Sequence, residues 1–261
     1  MKKYELVETD KTTPFGKPLF QVVALRDFGD VRKGDLGGYI ESTDNLSNEG
    51  NCWVSDNARV YGDARVFNSA RVYGNAWVYD KSWVSDNSQV YGEARVFGNS
   101  LVSDNARVFG NALVSDNAQV YENAQVFDNA RVSDNARVFD NALVYGEAEV
   151  YDNAEVFGEA QVFGDAWVYG NARVFGNAEV FDDARVFGDA WFFDDDWVSD
   201  DAEIYDTTEL TGGYAFDTKD NGMTALCDHI KSNICFCDWG YDCPMNSEPD
   251  FTYCPKCGVK L

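Results

Sequence analysis

The sequence predicts an all-β solenoid followed by a small metal-binding module, and three observations lead to this fold class. Every sixth residue from Val54 to Ile204 is valine, apart from Phe192 and Ile204 itself, which makes 26 consecutive six-residue units. Each unit has a small residue, usually alanine, two places before the valine, and Gly, Asp or Asn two or three places after it. Six of the seven cysteines lie in the last 35 residues, outside the repeat.

The six-residue unit fits a short strand followed by a corner. Alanine and valine, two positions apart, point to the same face of a strand, while the residue between them points outward. Gly, Asp and Asn suit the corner because they tolerate left-handed backbone angles or bond their own backbone. A helix would need apolar spacings of three and four, which the repeat lacks. One unit buries almost nothing, so we expect stacked coils to share an interior of alanine and valine.

The residues before the repeat form a separate segment, 1–45. This segment lacks the period and contains the alternating run LFQVVAL. We expect it to be a small β cap over the first coil, because the end of a solenoid needs a cover. Ile40, Leu46 and Cys52 coincide with the alanine register. The sequence therefore predicts that the rod begins near residue 40, and we assign the repeat domain to 46–206.

The repeat resembles the hexapeptide repeat of single-stranded, left-handed parallel β-helices. That resemblance implies three hexads, and so 18 residues, in each triangular coil. The 26 hexads would then make eight to nine coils, a rod of roughly 40 Å at ~4.8 Å per coil. The segments DFGDVRKGDLGGYIES and NLSNEGNCWVSDNARVYG resemble the entry segment of hexapeptide-repeat proteins encoded in phages and prophages. This second resemblance implies a protein of the bacterial host cell.

An 18-residue coil would stack aromatic residues into a column. The residue after the valine is aromatic in 20 hexads and serine in six. Rings on neighbouring coils can then form a ladder that stiffens the rod, or a contact strip for a partner or a second rod. Nine outward arginines are expected to lie against these rings or to pair with corner carboxylates. The column consists of Tyr73, Tyr91, Phe109, Phe127, Tyr145, Phe163 and Phe181, with Tyr91, Phe109 and Phe127 as the candidate contact residues.

The same coil would stack acidic corners. One predicted column contains Asp86, Asp104, Glu122 and Asp140, and a second contains Asp116, Asp134 and Asp152. The neighbouring Asn117, Asn135 and Asn153 would form amide ladders of the kind that stabilise stacked strands. We expect these corners to be solvated turns. Calcium bound along a column is the lesser alternative, because the nonapeptide calcium-binding signature is absent.

The charge of the chain limits its partners. The net charge is −24, and residues 51–206 carry 28 acidic and 10 basic side chains. Such a surface repels phosphate backbones and anionic lipids, so we expect neither direct nucleic-acid binding nor membrane binding. The N-terminal MKKYELVETD has no apolar signal region, and no run of about 18 apolar residues occurs. These features favour a cytoplasmic protein with a basic protein partner, and self-association through the rod faces is a further option.

Two consecutive hexads near the end of the repeat break the pattern. Phe192 replaces an inward valine and Asp196 replaces an inward alanine. A carboxylate in a narrow apolar core costs several kcal/mol unless it is paired or protonated. We therefore expect the coil to open near Asp196, with a functional carboxylate as the alternative.

The sequence argues against the enzymatic activities of the resembled family. Its acyltransferases use a histidine in or beside the coils as general base, and its zinc carbonic anhydrases need several histidine ligands. The chain has one histidine, His229, beyond the repeat. We therefore predict a protein that is not an enzyme.

The tail predicts a linker or cap at 207–226 and a zinc ribbon at 227–261. The segment YCPKCG contains Cys254 and Cys257, two thiolates three residues apart that can reach one tetrahedral ion. Cys237 and Cys243 are the favoured second pair, with Cys235, Cys227 and His229 as alternates. A module this small needs a metal to fold, so we predict one structural zinc ion per chain.

Three functions remain open. The first is a rigid acidic rod that docks a protein partner, in its sharpest form a DNA mimic that inhibits a host nucleic-acid-binding or defence protein. The second is a structural or assembly protein, such as a virion accessory or polymerising scaffold. The third and least favoured is an acyltransferase-like enzyme.

Overall fold

A computed structural model describes most of the chain through residue 205 and several strands beyond it. The described residues are 2–193, 196–205, 209–210, 213–218, 223–230 and 234–237, and side chains are described for 2–193 and 196–204. Within these residues no helix is long and apolar enough to cross a membrane.

The chain begins with three longer strands that lie next to one another. β1 (Tyr4–Val7) pairs antiparallel with β2 (Phe20–Ala24), which pairs antiparallel with β3 (Leu36–Ile40). β3 then pairs in parallel with β5 (Arg59–Val60). The N-terminal segment therefore extends one sheet of the rod through its backbone hydrogen bonds.

The repeat folds as one short strand per hexad. Most of these strands have two residues, the outward residue and the inward valine. They are β4 (Trp53–Val54), β5, β6 (Arg65–Val66), β7 (Arg71–Val72), β8 (Trp77–Val78), β9 (Trp83–Val84), β10 (Gln89–Val90), β11 (Arg95–Val96), β12 (Leu101–Val102), β13 (Arg107–Val108), β14 (Leu113–Val114), β15 (Gln119–Val120), β16 (Gln125–Val126), β17 (Arg131–Val132), β18 (Arg137–Val138), β19 (Leu143–Val144), β20 (Glu149–Val150), β21 (Glu155–Val156), β22 (Gln161–Val162), β23 (Trp167–Val168), β24 (Arg173–Val174), β25 (Glu179–Val180), β26 (Arg185–Phe187), β27 (Trp191–Phe192), β28 (Trp197–Ser199) and β29 (Glu203–Tyr205).

Each strand from β4 to β28 pairs in parallel with the strand three positions further along the chain, and β29 ends its sheet. Val90 lies opposite Val108, and Val108 opposite Val126, so the register advances by 18 residues per coil. The described strands form three sheets, of 12, 12 and 9 strands. The protein is therefore a parallel β-solenoid with three hexads per coil and about nine coils, as expected, whereas its left-handedness stays a prediction.

The interior of the rod is built from the predicted alanine and valine positions. Val126 and its stacked neighbours Val108 and Val144 are fully buried, as are Ala106 and Ala124. These residues belong to one continuous hydrophobic cluster that runs from the N-terminal strands to Ile204. The inward assignment from the six-residue period is confirmed.

The corners have the left-handed backbone that their residue types predict. Gly98 has φ 74° and Asp104 has φ 57°. The coils lie so close here that a Cβ on Gly98 would be 2.6 Å from the backbone nitrogen of Asp116. Asn99 N donates to the carbonyl oxygen of Asp116 at 2.5 Å. Glycine and the short polar residues Asp and Asn are favoured at most corners because the corner combines a positive φ with a close neighbour.

The register of the first coil differs from the sequence prediction. Cys52 takes the alanine position as expected, because Trp53 pairs with Arg71. Ile40 instead lies opposite Val60, and Leu46 opposite Val66, so both take the valine position. Their offset of 20 residues exceeds the regular 18, and the extra length is absorbed by the turn between Ser47 and Asn51. A simple six-residue count cannot detect such an insertion.

The predicted opening of the coil at Asp196 is wrong. Asp196 is fully buried, and its carbonyl oxygen accepts from Glu179 N at 2.9 Å. Val198 remains opposite Val180, and Phe192 lies opposite Val174. The ladder of backbone hydrogen bonds continues, so the coil keeps its shape around an inward carboxyl group.

Among the described residues, four strands follow the regular coils. β30 (Glu209–Leu210) pairs with β27, and β31 (Gly213–Thr218) pairs in parallel with β28. β31, β32 (Met223–Ile230) and β33 (Ile234–Cys237) are antiparallel neighbours. Both ends of the rod are therefore extended by antiparallel strands.

Candidate protein-interaction surface

The first acidic column lies on corners that follow strands of the nine-stranded sheet. Asp86, Asp104, Glu122 and Asp140 all have φ between 57° and 59°, and the coil brings them one above another. Glu122 N donates to Asp104 Oδ2 at 3.3 Å, and Asp140 N donates to Glu122 Oε2 at 3.0 Å. Gly158 N donates to Asp140 Oδ2 at 3.1 Å. The carboxylates of Asp104, Glu122 and Asp140 thus each accept the corner amide of the next coil, whereas Asp86 accepts from Asn68 Nδ2 and Ser85 Oγ, both at 2.8 Å.

The negative charge of this column is concentrated. A side-chain hydrogen bond with Asp140, partial desolvation and the nearby Asp140 charge raise the pKa of Glu122 above its ordinary value. The direction agrees with like charges stacked one rung apart. Within the described residues no three His, Cys, Asp or Glu side chains are grouped to hold a metal ion.

The second acidic column has the same construction. Asp152 N donates to Asp134 Oδ2 at 3.4 Å, and Gly170 N donates to Asp152 Oδ2 at 3.1 Å. The predicted amide ladder runs beside it. Its Nδ2 to Oδ1 distances are 3.0 to 3.1 Å from Asn99 through Asn117, Asn135 and Asn153 to Asn171.

The predicted aromatic column is stacked. Tyr91 and Phe109, and then Phe109 and Phe127, have ring centroids 4.9 Å apart and planes within 2° of parallel. The column continues from Tyr73 to Phe181 with centroid distances of 4.7 to 5.0 Å. The rings are half-buried. Because the ring faces contact one another, this strip presents ring edges to solvent.

The outward arginines have other partners than the sequence predicted. In the described ion pairs, Arg71 binds Asp30 of the N-terminal segment, and the other paired outward arginines bind outward glutamates on neighbouring coils, as Arg131 does with Glu149 at 3.2 Å. Their cation–π contacts are with outward tryptophans; Arg59 lies 5.0 Å from the ring centroid of Trp77. Outward residues of neighbouring coils are adjacent in the sheet, which places them closer than the corners.

Sequence reasoning missed a buried lysine beside the first coil. Lys3 is fully buried, and its Nζ donates to the Cys52 carbonyl oxygen at 3.0 Å and lies 3.1 Å from Cys52 Sγ. Burial lowers the pKa of Lys3 and raises the pKa of the Cys52 thiol. The contact joins residues 49 apart in sequence, and nothing in the local pattern around Lys3 indicates it.

The predicted zinc ligands cannot be placed. Cys243, Cys254 and Cys257 lie outside the described residues. Cys237 and the alternates Cys227, His229 and Cys235 belong to β32 and β33, whose side chains are not described.

The fold defines the chain as a repeat protein of the parallel β-solenoid class. Segments 58–72, 70–86, 101–116, 106–122, 124–138 and 130–146 match the model of a family described as the YdcK Beta solenoid repeat. A stretch of 63 residues is 36% identical to a protein of Escherichia coli (strain K12) named Uncharacterized acetyltransferase YdcK. The alignment covers 22% of this chain and 19% of that protein. The family match lies within the repeats, and the alignment with the relative spans about a fifth of that protein's length.

Proposed function

We propose that this protein is a non-enzymatic binding protein, a rigid acidic rod that docks a basic protein partner. The observation that carries the proposal is the acidic column of Asp86, Asp104, Glu122 and Asp140. Backbone amides of the next coil hold three of these carboxylates, and Asn68 and Ser85 side chains hold Asp86, so little ordering entropy is lost when a partner binds them. Complementary charges of this kind accelerate association and select for basic partners.

The sharpest form of this proposal is mimicry of DNA by a phage-encoded inhibitor. Over ~40 Å, duplex DNA carries about 24 phosphate charges. The repeat region carries 28 acidic side chains against 10 basic ones, a comparable density. The columns run straight along the rod whereas phosphates wind around the duplex. A mimic would therefore match only part of a DNA-binding groove.

Two matched sets of substitutions test which surface binds. The first variant replaces Asp86, Asp104 and Asp140 by Asn and Glu122 by Gln. It removes four negative charges, but each side chain keeps an oxygen that can accept a hydrogen bond. Asn68 already occupies such a corner with φ 58°, so the variant should fold. A partner isolated from host cells should bind this variant at least tenfold more weakly, and increasing salt should weaken wild-type binding, because exposed charges are screened within ~8 Å.

The aromatic set is the counterpart. This second variant replaces Tyr91, Phe109 and Phe127 by Ser. It should fold, because six hexads of the repeat already have serine at this position. If only this set abolishes binding, and salt has no effect, docking through the acidic column is wrong. Virion proteins as the captured partners would instead favour the structural or assembly role.

A second candidate function comes from the name of the relative, which calls that protein an acetyltransferase. Titration of the full chain with acetyl coenzyme A, followed by calorimetry, tests it directly. Saturable binding would favour an enzyme and count against the non-enzymatic proposal.

The ends of the rod complete the proposal. The N-terminal strands act as a cap on a left-handed coil, and the C-terminal cysteines hold one structural zinc ion. Four thiolates would leave no open coordination position for catalysis, so this module would serve in end-capping or protein docking.

A further inference from the structure

Two aromatic columns of the rod are each interrupted over two coils, one at Ser85 and Ser103 and the other at Ser115 and Ser133. In the second of these columns, a cavity lies at the interruption. Tyr61, Tyr79 and Phe97 are stacked on the first coils at centroid distances of 4.9 and 5.1 Å. Tyr151 and Tyr169 resume the stack at 4.9 Å. The positions between Phe97 and Tyr151 are Ser115 and Ser133. With neighbouring strands ~4.8 Å apart, the two flanking rings stand roughly 14 Å apart, which leaves the space of two missing rings.

This interruption is a cavity of about 390 Å³. Val132, the two serines and Tyr151, where the stack resumes, belong to its lining. The outward residues Leu113, Arg131 and Glu149 and the corner residues Asp116 and Asp134 complete its lining. A volume of this size is at the lower end of ligand pockets, which span ~300 to 1,000 Å³. We call this cavity, defined by these nine residues, the slot.

The slot combines an aromatic surface with unneutralised negative charge. Arg131 Nη1 is 3.2 Å from Glu149 Oε1, so the one basic residue of the lining is paired. Asp116 and Asp134 have no basic partner in the described part of the chain. Ser115 Oγ donates to Asp116 Oδ2 at 2.7 Å, which orients that carboxylate. The remaining carboxylate oxygens can accept hydrogen bonds from a guanidinium or an ammonium group.

We propose that the slot receives an aromatic side chain of the basic protein partner, while an adjacent arginine or lysine of the same segment binds Asp116 and Asp134. The inserted ring would lie parallel to Tyr151 and continue the stack of the rod. This proposal rests on the proposed docking function and adds a second contact of the same partner, on the corner column of Asp116 and Asp134, together with the residue types that it takes. The carboxylates of Asp116 and Asp134 favour a cation, and the space left by the two missing rings favours a flat aromatic ring.

The test uses the full chain and two synthetic peptides. The probe is acetyl-Gly-Arg-Trp-Arg-Gly-amide, and its control has Leu in place of Trp. Calorimetry should show that wild-type protein binds the Trp peptide roughly two- to twelve-fold more tightly, the range of an aromatic pair. The variant Ser115→Phe with Ser133→Phe fills the slot with the residue type found in most hexads. It should lose the preference for Trp while melting at or above the wild-type temperature.

A matched control has the same two substitutions where no gap is filled. Ser55 and Ser199 occupy the equivalent position before Tyr73 and after Phe181 in the uninterrupted column. Ser55→Phe with Ser199→Phe should therefore keep the preference for the Trp peptide. Asp116→Asn with Asp134→Asn should weaken binding of both peptides.

Two outcomes would overturn the slot as a docking site. Wild-type protein that shows no preference for Trp, or a filled variant that keeps it, contradicts the proposal. If both peptides bind with equal affinity and added salt weakens that binding, docking to the acidic rod is supported. Only the role of the slot as a docking site is then wrong. If the four-residue acidic variant binds the partner as tightly as wild type does, that result would count against the proposed function itself.

Discussion

Replacing Val126 by aspartate tests whether the interior of the rod is closed to solvent. Val126 is fully buried and lies between Val108 and Val144 of the neighbouring coils. The adjacent residue of the same strand, Gln125, is only half-buried and points outward. Val126→Asp and Gln125→Asp therefore add the same carboxyl group on opposite faces of one strand.

The expected cost for Val126→Asp follows from three contributions. Loss of the buried valine lowers the free energy of unfolding by ~1.5 to 3 kcal/mol. An unsatisfied buried polar group lowers it by a further ~1 to 3 kcal/mol. Burial also forces the carboxyl group to stay protonated, which costs ~4 kcal/mol at pH 7 for a group with an ordinary pKa near 4. The sum of roughly 7 to 10 kcal/mol is comparable with the whole stability of a domain.

The pH dependence has a definite sign. Burial raises the pKa of the new carboxyl group in the folded state above its unfolded value. The folded state then binds more protons between these two pKa values, so stability relative to wild type rises as the pH falls toward 4. About 4 kcal/mol of the loss should be recovered there.

Circular dichroism melts at pH 7 and pH 4.5, with hydrogen exchange resolved by peptide, measure these effects. We expect Val126→Asp to unfold or fray the central coils at pH 7 and to recover partly at pH 4.5. Gln125→Asp should stay within about 0.5 kcal/mol of wild type. Equal melting temperatures for Val126→Asp and wild type, or equal losses for the two variants, would refute the inward assignment.

The remaining predictions concern a corner, an acidic column and the tail. Gly98→Val should cost ~2 kcal/mol or more in urea unfolding and Gly98→Asp less, because both add a Cβ 2.6 Å from the backbone nitrogen of Asp116 but only the β-branched residue also strongly opposes the positive φ; equal costs would contradict this. Glu122→Gln should lower the sensitivity of stability to salt without loss of fold, since it removes one of several stacked like charges; an unchanged salt dependence would show that these charges do not interact. Cys254→Ser and Cys257→Ser should each lose one zinc by metal analysis while the rod melts as before, because solenoid contacts are local; wild-type protein without zinc would end the zinc prediction.

The regular part of the rod could be predicted from the sequence because its causes are local. Alternation within a strand decides which residue points inward, and the backbone angles that Gly and Asp tolerate decide the corner. Strict repetition then stacks equivalent residues, so the columns of Asp104 and Phe109 followed once the coil was taken to hold three hexads. That number came from a family resemblance, since a period of six does not contain it.

Only the tertiary structure decided the features that depend on contacts between distant residues. The extra length before Asn51 shifts Ile40 and Leu46 into the valine register. The pairing of the first coil with the second determines this register, and a count of six residues along the chain does not. The contact of Lys3 with Cys52 and the slot at Ser115 and Ser133 also arise from neighbours that the coil brings together. Asp196 stays inside because the hydrogen bonds of the stacked backbone continue past it. The repeat thus determined the local geometry of each hexad, whereas the stacking of coils determined which side chains meet, since those contacts join residues far apart in the chain.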